Sequence, residues 1–413
     1  MAAGQRVRAR PAAAGELAAE RTARPALDIF LWSRGAIWAA ALFALLVFEP
    51  NRHPRAARWD DPAVTRDLGY VTDVWARWDS VWFLRIAEHG YDSALSAAFH
   101  PLYPAAVAAL GRALFGHYVL AGIVVSLAAS LGAFLLLYRL AEERIGAEGA
   151  RRAVLYLALF PTTLFLQAVY SEALFLVLAL AAFCLAERGR FLAAGAAAGL
   201  ALLARPAGAA LFPALVLFAC RAPTRGPALA RLVPGAALFA VYPLVLWRSL
   251  GDPWAFARAQ EAWQRHLSYA GPLGGAWDGL RAGFAGIRQL LSGSHTHAYW
   301  SAVTDTDPLR AAVVNLESLA FLALFVALTV VAWRHFGAPY GIFAAGSLAI
   351  PLSVPSERWP LLSLPRFGLV VFPFFLALAV VGRRPRVHTA IVGVSALMLG
   401  VAVVQWSLWQ WVS

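Results

Sequence analysis

Long apolar runs constrain this chain more than any other feature. Of its 413 residues, 61% are hydrophobic and only 14% are charged, and the mean hydropathy is +0.64. A soluble domain has about 25% charged residues and less than about half apolar ones. Helices of about 20 apolar residues cross the ~30 Å hydrocarbon core of a bilayer. The composition therefore predicts an all-α polytopic membrane protein, with the lipid bilayer as a partner.

The net charge of +12 has an explanation in the membrane. Basic residues of polytopic proteins gather in the cytoplasmic loops, so we expect no nucleic-acid partner. Cys184 and Cys220 both lie in apolar runs. We interpret them as small core or lipid-facing residues rather than a disulfide or a metal pair.

The apolar runs and the loops between them predict one transmembrane domain. Residues 1–28 are rich in Arg and are interpreted as a disordered cytoplasmic tail, and residues 29–413 as a single domain of about 11 transmembrane helices. Large external loops with short interfacial helices are expected at about 49–117 and 251–310. The predicted spans are about 29–48, 118–138, 153–169, 171–186, 191–204, 207–220, 230–250, 312–334, 338–353, 366–382 and 389–411.

The short apolar run 101–116 leaves two topologies open. If it does not cross, the basic loops 139–152, 187–190 and 221–231 lie inside, as the positive-inside rule requires. If it does cross, those loops face outward. We take the first option, which places both the N-terminus and the basic loops in the cytoplasm. It also places Asp79, Tyr170, Glu172 and Arg205 together on the external side, with Arg366 in the external run S-L-P-R-F (363–367).

The densest group of charged and aromatic residues is the stretch 77–104, which contains R-W-D-S-V-W-F-L-R-I-A-E-H-G-Y-D and then F-H-P-L-Y-P. Hydrocarbon cannot satisfy such groups, so this stretch needs water or a ligand around it. Helical spacing in the same loop predicts an interfacial helix, through Asp73, Arg77, Ser80, Leu84 and Ala87.

Asp79 is the first candidate for chemistry. It is flanked by Trp78 and Trp82, and partial desolvation of a carboxylate raises its pKa and suits it to general-base work. The alternative is a structural ion pair with Arg77 or Arg85, because perturbed carboxylates also occur in such pairs. Both interpretations remain open at the level of sequence.

Three further charged residues lie at span boundaries. Glu172 binds either substrate or a partner arginine, or is a helix N-terminal acid stabilised by the helix dipole. Arg205 and Arg366 lie at the ends of apolar runs, close to the hydrocarbon region of the membrane. A phosphate is the natural ligand of a guanidinium in such a position. The alternative interpretation is that these two arginine side chains extend to the lipid headgroups.

Metal and cofactor signals are weak. His295, His297, Asp305 and Asp307 form H-x-H and D-x-D patterns, but loop His and Asp residues are usually solvated, so no metal site is expected. The chain has no P-loop, nucleophile elbow, H-E-x-x-H or dinucleotide motif. We therefore expect no cofactor, although a role for a divalent metal stays open.

Four motifs in order resemble one family. The first is the stretch beginning R-W-D-S-V-W, and the others are F-P-T-T-L-F-L-Q-A-V-Y-S-E-A-L-F (160–175), L-L-A-R-P-A-G (202–208) and L-P-R-F-G-L-V-V-F-P-F-F (364–375). Together they resemble the PIG-V-like mannosyltransferases, relatives of GPI mannosyltransferase 2 in the GT-C superfamily of membrane glycosyltransferases. The chain departs from the family at His100, where Phe is more common, and in the R-P-A-G run, which is more polar in eukaryotic relatives.

The resemblance implies a GT-C-like helical bundle and a polyprenyl-phosphate sugar donor, with mannose first among the sugars. The acceptor would be lipid-linked or part of the cell envelope, and the reaction would invert the anomeric carbon on the outer face of a bacterial plasma membrane. Open alternatives are another polyprenyl-phosphate sugar and a non-enzymatic membrane transporter. The oligomeric state is left open.

The resemblance also implies roles for particular residues. Asp79 would be the general base, and Arg205 and Arg366 would neutralise the leaving phosphate. The full expected substrate-binding set is Arg77, Trp78, Ser80, Trp82, Tyr91, His100, Tyr103, Tyr170, Glu172, Arg205 and Arg366.

Overall fold

We analysed a computed structural model of the chain that describes residues 11–51, 65–303 and 306–412, with side chains from residue 24 onward. Within these ranges the chain is helical, and its only β pairing is an isolated bridge between Arg265 and Ser356. The α-helices are α1 (Pro11–Val47), α2 (Tyr70–Asp73), α3 (Ser80–His89), α4 (Leu102–Ala113), α5 (Tyr118–Leu159), α6 (Glu172–Glu187), α7 (Phe191–Ala204), α8 (Leu211–Cys220), α9 (Arg225–Ala230), α10 (Val233–Ala237), α11 (Val241–Leu250), α12 (Ala255–Arg258), α13 (Pro272–Ser292), α14 (Pro308–Phe336), α15 (Ala338–Ser353), α16 (Leu364–Leu369), α17 (Pro373–Val381) and α18 (Pro385–Ser407).

The predicted all-α polytopic architecture is confirmed. In the described part of the chain, five helical stretches are long and apolar enough to cross a membrane, namely Arg24–Val47, Tyr118–Leu159, Arg225–Leu250, Pro308–Phe336 and Pro385–Ser407. Shorter apolar helices accompany them, among them α7 and α15. The total of 11 spans stays a prediction.

Some predicted boundaries agree with the structure and others are wrong. Helices α7 and α15 match the predicted spans 191–204 and 338–353. The predicted span 153–169 is wrong, because α5 ends at Leu159 and an irregular, buried segment follows with one 3-10 turn, Thr163–Leu166. Pro161 explains this end, since Phe160 before it takes an extended ψ of 138°.

Two other expectations differ at helix ends. Helix α1 begins at Pro11, so residues 11–28 are helical where a disordered tail was expected, and residues 1–10 lie outside the description. The predicted loop 139–152 is helical apart from Gly146, whose φ of 75° breaks α5. Glycine tolerates this left-handed φ because it has no Cβ.

Helix α6 lies at the centre of the bundle and connects its two ends. Near its C-terminal end, Phe183 packs against aromatic rings of α8, α15 and the residue before α17 at centroid distances of 4.9–5.5 Å, those of Phe218, Tyr340, Phe343 and Phe372. Glu172 lies at one end of α6 and Glu187 at the other. The candidate site is built at the Glu172 end.

The irregular segment before α6 is held in place by a buried arginine of α1. Arg34 is 4% exposed and donates to the carbonyls of Ala158 and Thr163, at 3.3 and 2.9 Å. A charged side chain at such a depth is costly unless its donors are satisfied. Arg34 therefore fixes the start of the segment that carries Tyr170 and Glu172 to the site.

Candidate active site

Asp79 directly precedes α3, in a turn with a strained backbone. Its N–H donates to the Tyr170 hydroxyl at 3.0 Å, and the same hydroxyl donates to the carbonyl of Arg77 at 3.1 Å. Between them, Trp78 has a φ of 53°. A bulky residue in the left-handed region costs about 1–3 kcal/mol and persists only where its surroundings fix it. Tyr170 is one such support.

Four charged side chains from distant parts of the chain form one ion-pair network. Asp79 Oδ2 lies 2.6 Å from Arg366 Nη1. Arg366 Nε lies 3.3 Å from Glu172 Oε1, which also contacts Arg205 Nη1 at 2.5 Å. The network thus joins the start of α3, the start of α6, the end of α7 and α16. The topology argument from positive loops correctly brought Asp79, Tyr170, Glu172 and Arg205 to one end of the molecule.

The members of the network differ in their access to solvent. The side chains of Asp79, Arg205 and Arg366 are 11–13% exposed, whereas Glu172 is 0% exposed. Glu172 is the first residue of α6, where the helix dipole favours an acid. A ligand entering this end would meet the Asp79 carboxylate and two guanidiniums, with Glu172 behind them.

The local sequence explains how Arg205 is presented. It follows α7 in extended geometry (φ −157°, ψ 149°), as expected for a residue before proline. The Gly208 N–H donates to the Arg205 carbonyl at 3.0 Å. A Cβ on Gly208 would lie only 2.3 Å from the backbone nitrogen of Leu202. The R-P-A-G turn therefore needs glycine at its last position.

Arg366 is further held by aromatic rings. Its guanidinium carbon lies 5.4 Å from the ring centroids of Phe165 and Tyr170, and 5.6 Å from that of Phe367. Cations are attracted to such ring faces, the more so where water is excluded. Two carboxylates and three rings together restrict the orientation of this guanidinium.

Arg265 is a further cation of the site that the sequence did not single out. It donates to the carbonyls of Val354 and Leu362, at 3.0 and 3.1 Å. Its guanidinium carbon is 5.7 Å from the Phe367 ring. Burial lowers its pKa to about 10, with the nearby charge of Arg366 acting in the same direction. An arginine in a loop rich in tryptophan was the only sequence signal, and no spacing rule connects residues 265 and 366.

Arg77 and Trp78 form the aromatic side of the site, with residues from the C-terminus. The Arg77 guanidinium lies over the Trp409 ring at 4.1 Å. The Trp78 ring meets those of Trp409 and Trp411 edge-on, at 5.8 and 5.3 Å. Burial lowers the pKa of Arg77 to about 9, although Asp73 opposes this shift. No local pattern indicated that residues after α18 return to this loop.

The structure decides between the alternatives for Asp79 pairing. Asp79 is in an ion pair, but its partner is Arg366 rather than Arg77 or Arg85. Arg85 instead pairs with Asp92 at 2.9 Å. The loop does contain a helix, α3, but it begins at Ser80 and does not include Asp73 or Arg77, and its interfacial position stays a prediction. The Ser80 hydroxyl accepts the N–H of Arg77 at 3.2 Å and so supports the same turn.

Several expected substrate-binding residues are packed inside the protein. Tyr103 is fully buried and bonded to the Gly122 carbonyl at 3.0 Å. Tyr91 donates to the Phe99 carbonyl at 2.6 Å, and the Trp82 ring stacks on the Phe99 ring at 6.0 Å. These three side chains support the first loop, and a role for them in substrate binding stays a prediction.

His100 is also buried, and it is bonded to the last turn of α7. Its Nδ1 lies 2.7 Å from the Leu202 carbonyl. Because a carbonyl can only accept, Nδ1 carries the proton. Burial lowers the His100 pKa to about 4, and the charge of Arg205 acts in the same direction. His100 is therefore neutral at pH 7 and joins the first loop to the Arg205 turn.

The possible metal residues of the second loop are not assembled as a set. His295 Nδ1 pairs with Asp307 Oδ2 at 2.6 Å on the surface, the His297 ring faces Tyr299, and Asp305 lies outside the described residues. Across the described ranges, no group of three or more His, Cys, Asp or Glu residues could hold a metal ion.

Comparison with known proteins identifies the family that the chain resembles. Residues 62–220 match the family model of the mannosyltransferases described as Mannosyltransferase (PIG-V). The resemblance to the PIG-V mannosyltransferases is confirmed. The matched region holds Asp79, Tyr170, Glu172 and Arg205, whereas Arg366 lies beyond it.

Two curated relatives each align with less than a third of the chain. GPI mannosyltransferase 2 of Drosophila melanogaster is 33% identical over 138 residues, which are 30% of this chain and 29% of that protein. GPI alpha-1,6-mannosyltransferase 2 of Homo sapiens is 37% identical over 125 residues, 28% of this chain and 25% of that protein. The chain thus spans less than a third of the length of these relatives.

Among solved structures, the similarity is looser and extends over most of the chain. The Archaeoglobus fulgidus oligosaccharyltransferase in its apo form gives a TM-score of 0.41 at 16% identity, over 92% of this chain and 56% of that one. ArnT from Cupriavidus metallidurans bound to undecaprenyl phosphate gives 0.37 at 17% identity, over 90% and 77%. Scores of this size do not establish a common fold.

Proposed function

We propose that this chain is a glycosyltransferase that moves a sugar, mannose in the first place, from a polyprenyl-phosphate donor to an acceptor hydroxyl. One observation carries the proposal. The carboxylate of Asp79, which is buried with 11% of its side chain exposed, lies beside the partly exposed guanidiniums of Arg366 and Arg205, and a fully buried Glu172 holds both guanidiniums. The match to the PIG-V family supports mannose as the sugar, and the GT-C-like bundle that the resemblance implies fits the helical fold.

In this reaction Asp79 takes the proton of the acceptor hydroxyl as that oxygen attacks the anomeric carbon. The bond from that carbon to the phosphate oxygen breaks, and the polyprenyl phosphate leaves with the electron pair. The base must lie within ~2.6–3.2 Å of the hydroxyl. Because Arg366 now bonds Asp79 Oδ2 at 2.6 Å, a donor phosphate that draws this guanidinium toward itself would leave Oδ2 free to accept the proton.

The charges of the site suit a phosphate leaving group. Arg205 and Arg366 balance the carboxylates of Asp79 and Glu172. Arg265, bonded to backbone carbonyls, adds a positive charge beyond that balance. Fixed cations aimed at developing negative charge are a large source of rate enhancement in a site with little water.

The distribution of arginines supports an external active site. Helix α6 ends near Arg144, Arg188 and Arg190, at the end of the bundle away from Asp79. Basic residues favour the cytoplasmic side, so the Asp79 end would face outward with the N-terminus inside, as in a bacterial plasma membrane. The acceptor would then be a lipid-linked or cell-envelope glycan.

The test is sugar transfer by purified protein from radiolabelled polyprenyl-phosphate-mannose to extracted membrane lipids. Asp79→Asn removes the base at nearly constant volume and should lower turnover by about 10²–10⁴-fold. Asp278→Asn is the matched control, because Asp278 forms only a long 3.9 Å contact with Arg281 on the surface of α13. Label in a new product with wild type and the control, but not with Asp79→Asn, supports the proposal.

Two results would contradict it. If folded wild-type protein transfers no sugar from any member of a panel of polyprenyl-phosphate sugars, a transporter is favoured instead. Transfer of a sugar other than mannose would change only the identity of the donor. Full turnover by Asp79→Asn would remove Asp79 from the mechanism.

Metal dependence is tested in the same assay. Since phosphate charge in this site is met by guanidiniums, we expect transfer to continue in excess EDTA. Loss of activity in EDTA that manganese or magnesium restores would show that a divalent ion takes part.

A further inference from the structure

Two tryptophans with left-handed backbones meet next to Asp79. Trp78 has a φ of 53° and Trp409 a φ of 57°, and their rings are 5.8 Å apart. Trp411 reaches the other part of the Trp78 ring at 5.3 Å. Bulky residues rarely adopt this conformation, and such residues cluster where surrounding structure imposes it for function.

The segment that contributes Trp409 is anchored to the first loop at two positions. Just before it, the Trp406 indole N–H donates to the Val74 carbonyl at 2.7 Å. The Trp406 ring also packs edge-on against Tyr170 at 5.7 Å. Directly after the end of α18, the Leu408 carbonyl accepts a hydrogen bond from the N–H of Asn51 at 3.0 Å. These contacts place the segment firmly against the first loop.

We propose that residues 406–411, here called the C-terminal clamp, position the general base by holding Trp78 in its left-handed conformation. The inference rests on the proposed function. Tyr170 fixes the turn through the Arg77 carbonyl and the Asp79 N–H. The clamp contacts the same turn through the Trp78 ring and through the Arg77 guanidinium stacked on Trp409. Among the described contacts, none of the three tryptophans of the clamp touches the side chain of Asp79, Arg205 or Arg366, so all three are positioning residues.

The geometry predicts which kinetic constant depends on the clamp. If Trp78 relaxes to a negative φ, the Asp79 carboxylate that follows it changes direction relative to the acceptor. Arg205 and Arg366 keep their separate anchor on Glu172. A misplacement of a catalytic group by ~1 Å can cost about 10²-fold in rate. Loss of the clamp should therefore lower kcat and leave donor KM nearly unchanged.

The experiment compares variants of the full chain in the transfer assay. Trp409→Ala removes both the ring under Arg77 and the contact to Trp78, whereas Trp409→Phe keeps an aromatic face. Trp411→Ala removes one contact to Trp78 and serves as a milder variant. Trp277→Ala is the matched control, because Trp277 is 62% exposed on α13.

We expect Trp409→Ala to lower kcat by at least ~10-fold with donor KM within about twofold, and Trp409→Phe to recover most of the loss. Trp411→Ala should lower kcat less, and Trp277→Ala should match wild type. The clamp proposal is overturned if kcat of Trp409→Ala and Trp411→Ala stays within about twofold of wild type. It is also overturned if the donor KM of Trp409→Ala rises as much as its kcat falls. The same holds if the decrease in kcat merely follows the fraction of folded protein and Trp409→Phe recovers none of it. An inactive wild type would instead count against the proposed function.

Discussion

Helix α6 carries a glutamate at each end, and the two differ in their surroundings. Glu172 begins the helix, is fully buried, and contacts Arg205 and Arg366. Glu187 ends it, is 13% exposed, and contacts Arg144 and the Tyr340 hydroxyl. The chemistry of the pairs is alike, but the burial and the position in the helix differ.

The difference indicates which end carries function. Ion pairs near the surface contribute about 0–1 kcal/mol, and an acid at a helix C-terminus is opposed by the dipole, so the Glu187 contacts act as a modest tie between helices. A buried pair costs desolvation that its attraction hardly repays. A network such as that around Glu172 is therefore weak evidence for stability and better evidence for a fixed arrangement of charges.

Glu172→Gln gives the largest expected effect and tests this comparison directly. It leaves Arg205 and Arg366, whose side chains are only 11–13% exposed, without their shared carboxylate, so we expect a loss of about 3–5 kcal/mol of unfolding free energy. Turnover should fall by about 10²-fold or more, because Arg366 and Arg205 lose their common anchor. Thermal unfolding in detergent and the sugar-transfer assay measure the two effects.

The matched control is Glu187→Gln at the other end of the same helix. We expect a loss of about 1 kcal/mol or less and turnover close to wild type. Equal effects of the two substitutions would mean that both ends are merely structural, and the inferred difference between them would be wrong.

The sequence indicated the members of the Glu172 network but not its pairing. Asp79, Arg205 and Arg366 stand out as charged residues beside apolar runs, and the topology predicted from the positive-inside rule places all four network residues on one side. The pairing of Arg366 with Asp79 across 287 positions depends on how helices pack. For the same reason the contributions of Arg265 and of the C-terminal clamp could not be read from local patterns.

The fold was predictable where length and hydrophobicity decide it. Helices α7 and α15 have the predicted ends because polar or proline-containing turns bound both. Residues 160–169 were predicted as part of a span because they are apolar, yet this segment is irregular and leads into Tyr170. Pro161 was the available signal, and its effect on the residue before it outweighs hydrophobicity.

Gly208→Ala is expected to have an intermediate effect and tests how tightly the Glu172 end is built. The added Cβ would lie 2.3 Å from the Leu202 nitrogen, so the R-P-A-G turn must move and carry Arg205 with it. Overpacking of this kind costs about 2 kcal/mol, and donor KM should rise because Arg205 would bind the donor phosphate. Unfolding and donor titration in the transfer assay measure both.

Gly226→Ala is the control for this substitution. A Cβ on Gly226 would meet no atom within 4 Å, and alanine favours its helix, so stability should change by no more than about 0.5 kcal/mol. A wild-type donor KM for Gly208→Ala would mean that the Arg205 turn tolerates displacement.

The smallest expected effect is a pH dependence from His100, whose pKa burial lowers from 6.5 to about 4. The groups facing it are Arg205, the Leu202 carbonyl and the Tyr242 ring. Because the unfolded chain takes up the proton first, stability is complete above pH 6.5 and is lost as the pH falls toward 4. Between pH 7.5 and 5.5 the loss of unfolding free energy should be about 1.4 kcal/mol.

His100→Phe should remove this pH dependence of stability, whereas replacing the exposed His335 at the Glu187 end by Gln should leave it. If wild type and His100→Phe lose the same stability on acidification, His100 is not the buried neutral link between the first loop and the Arg205 turn.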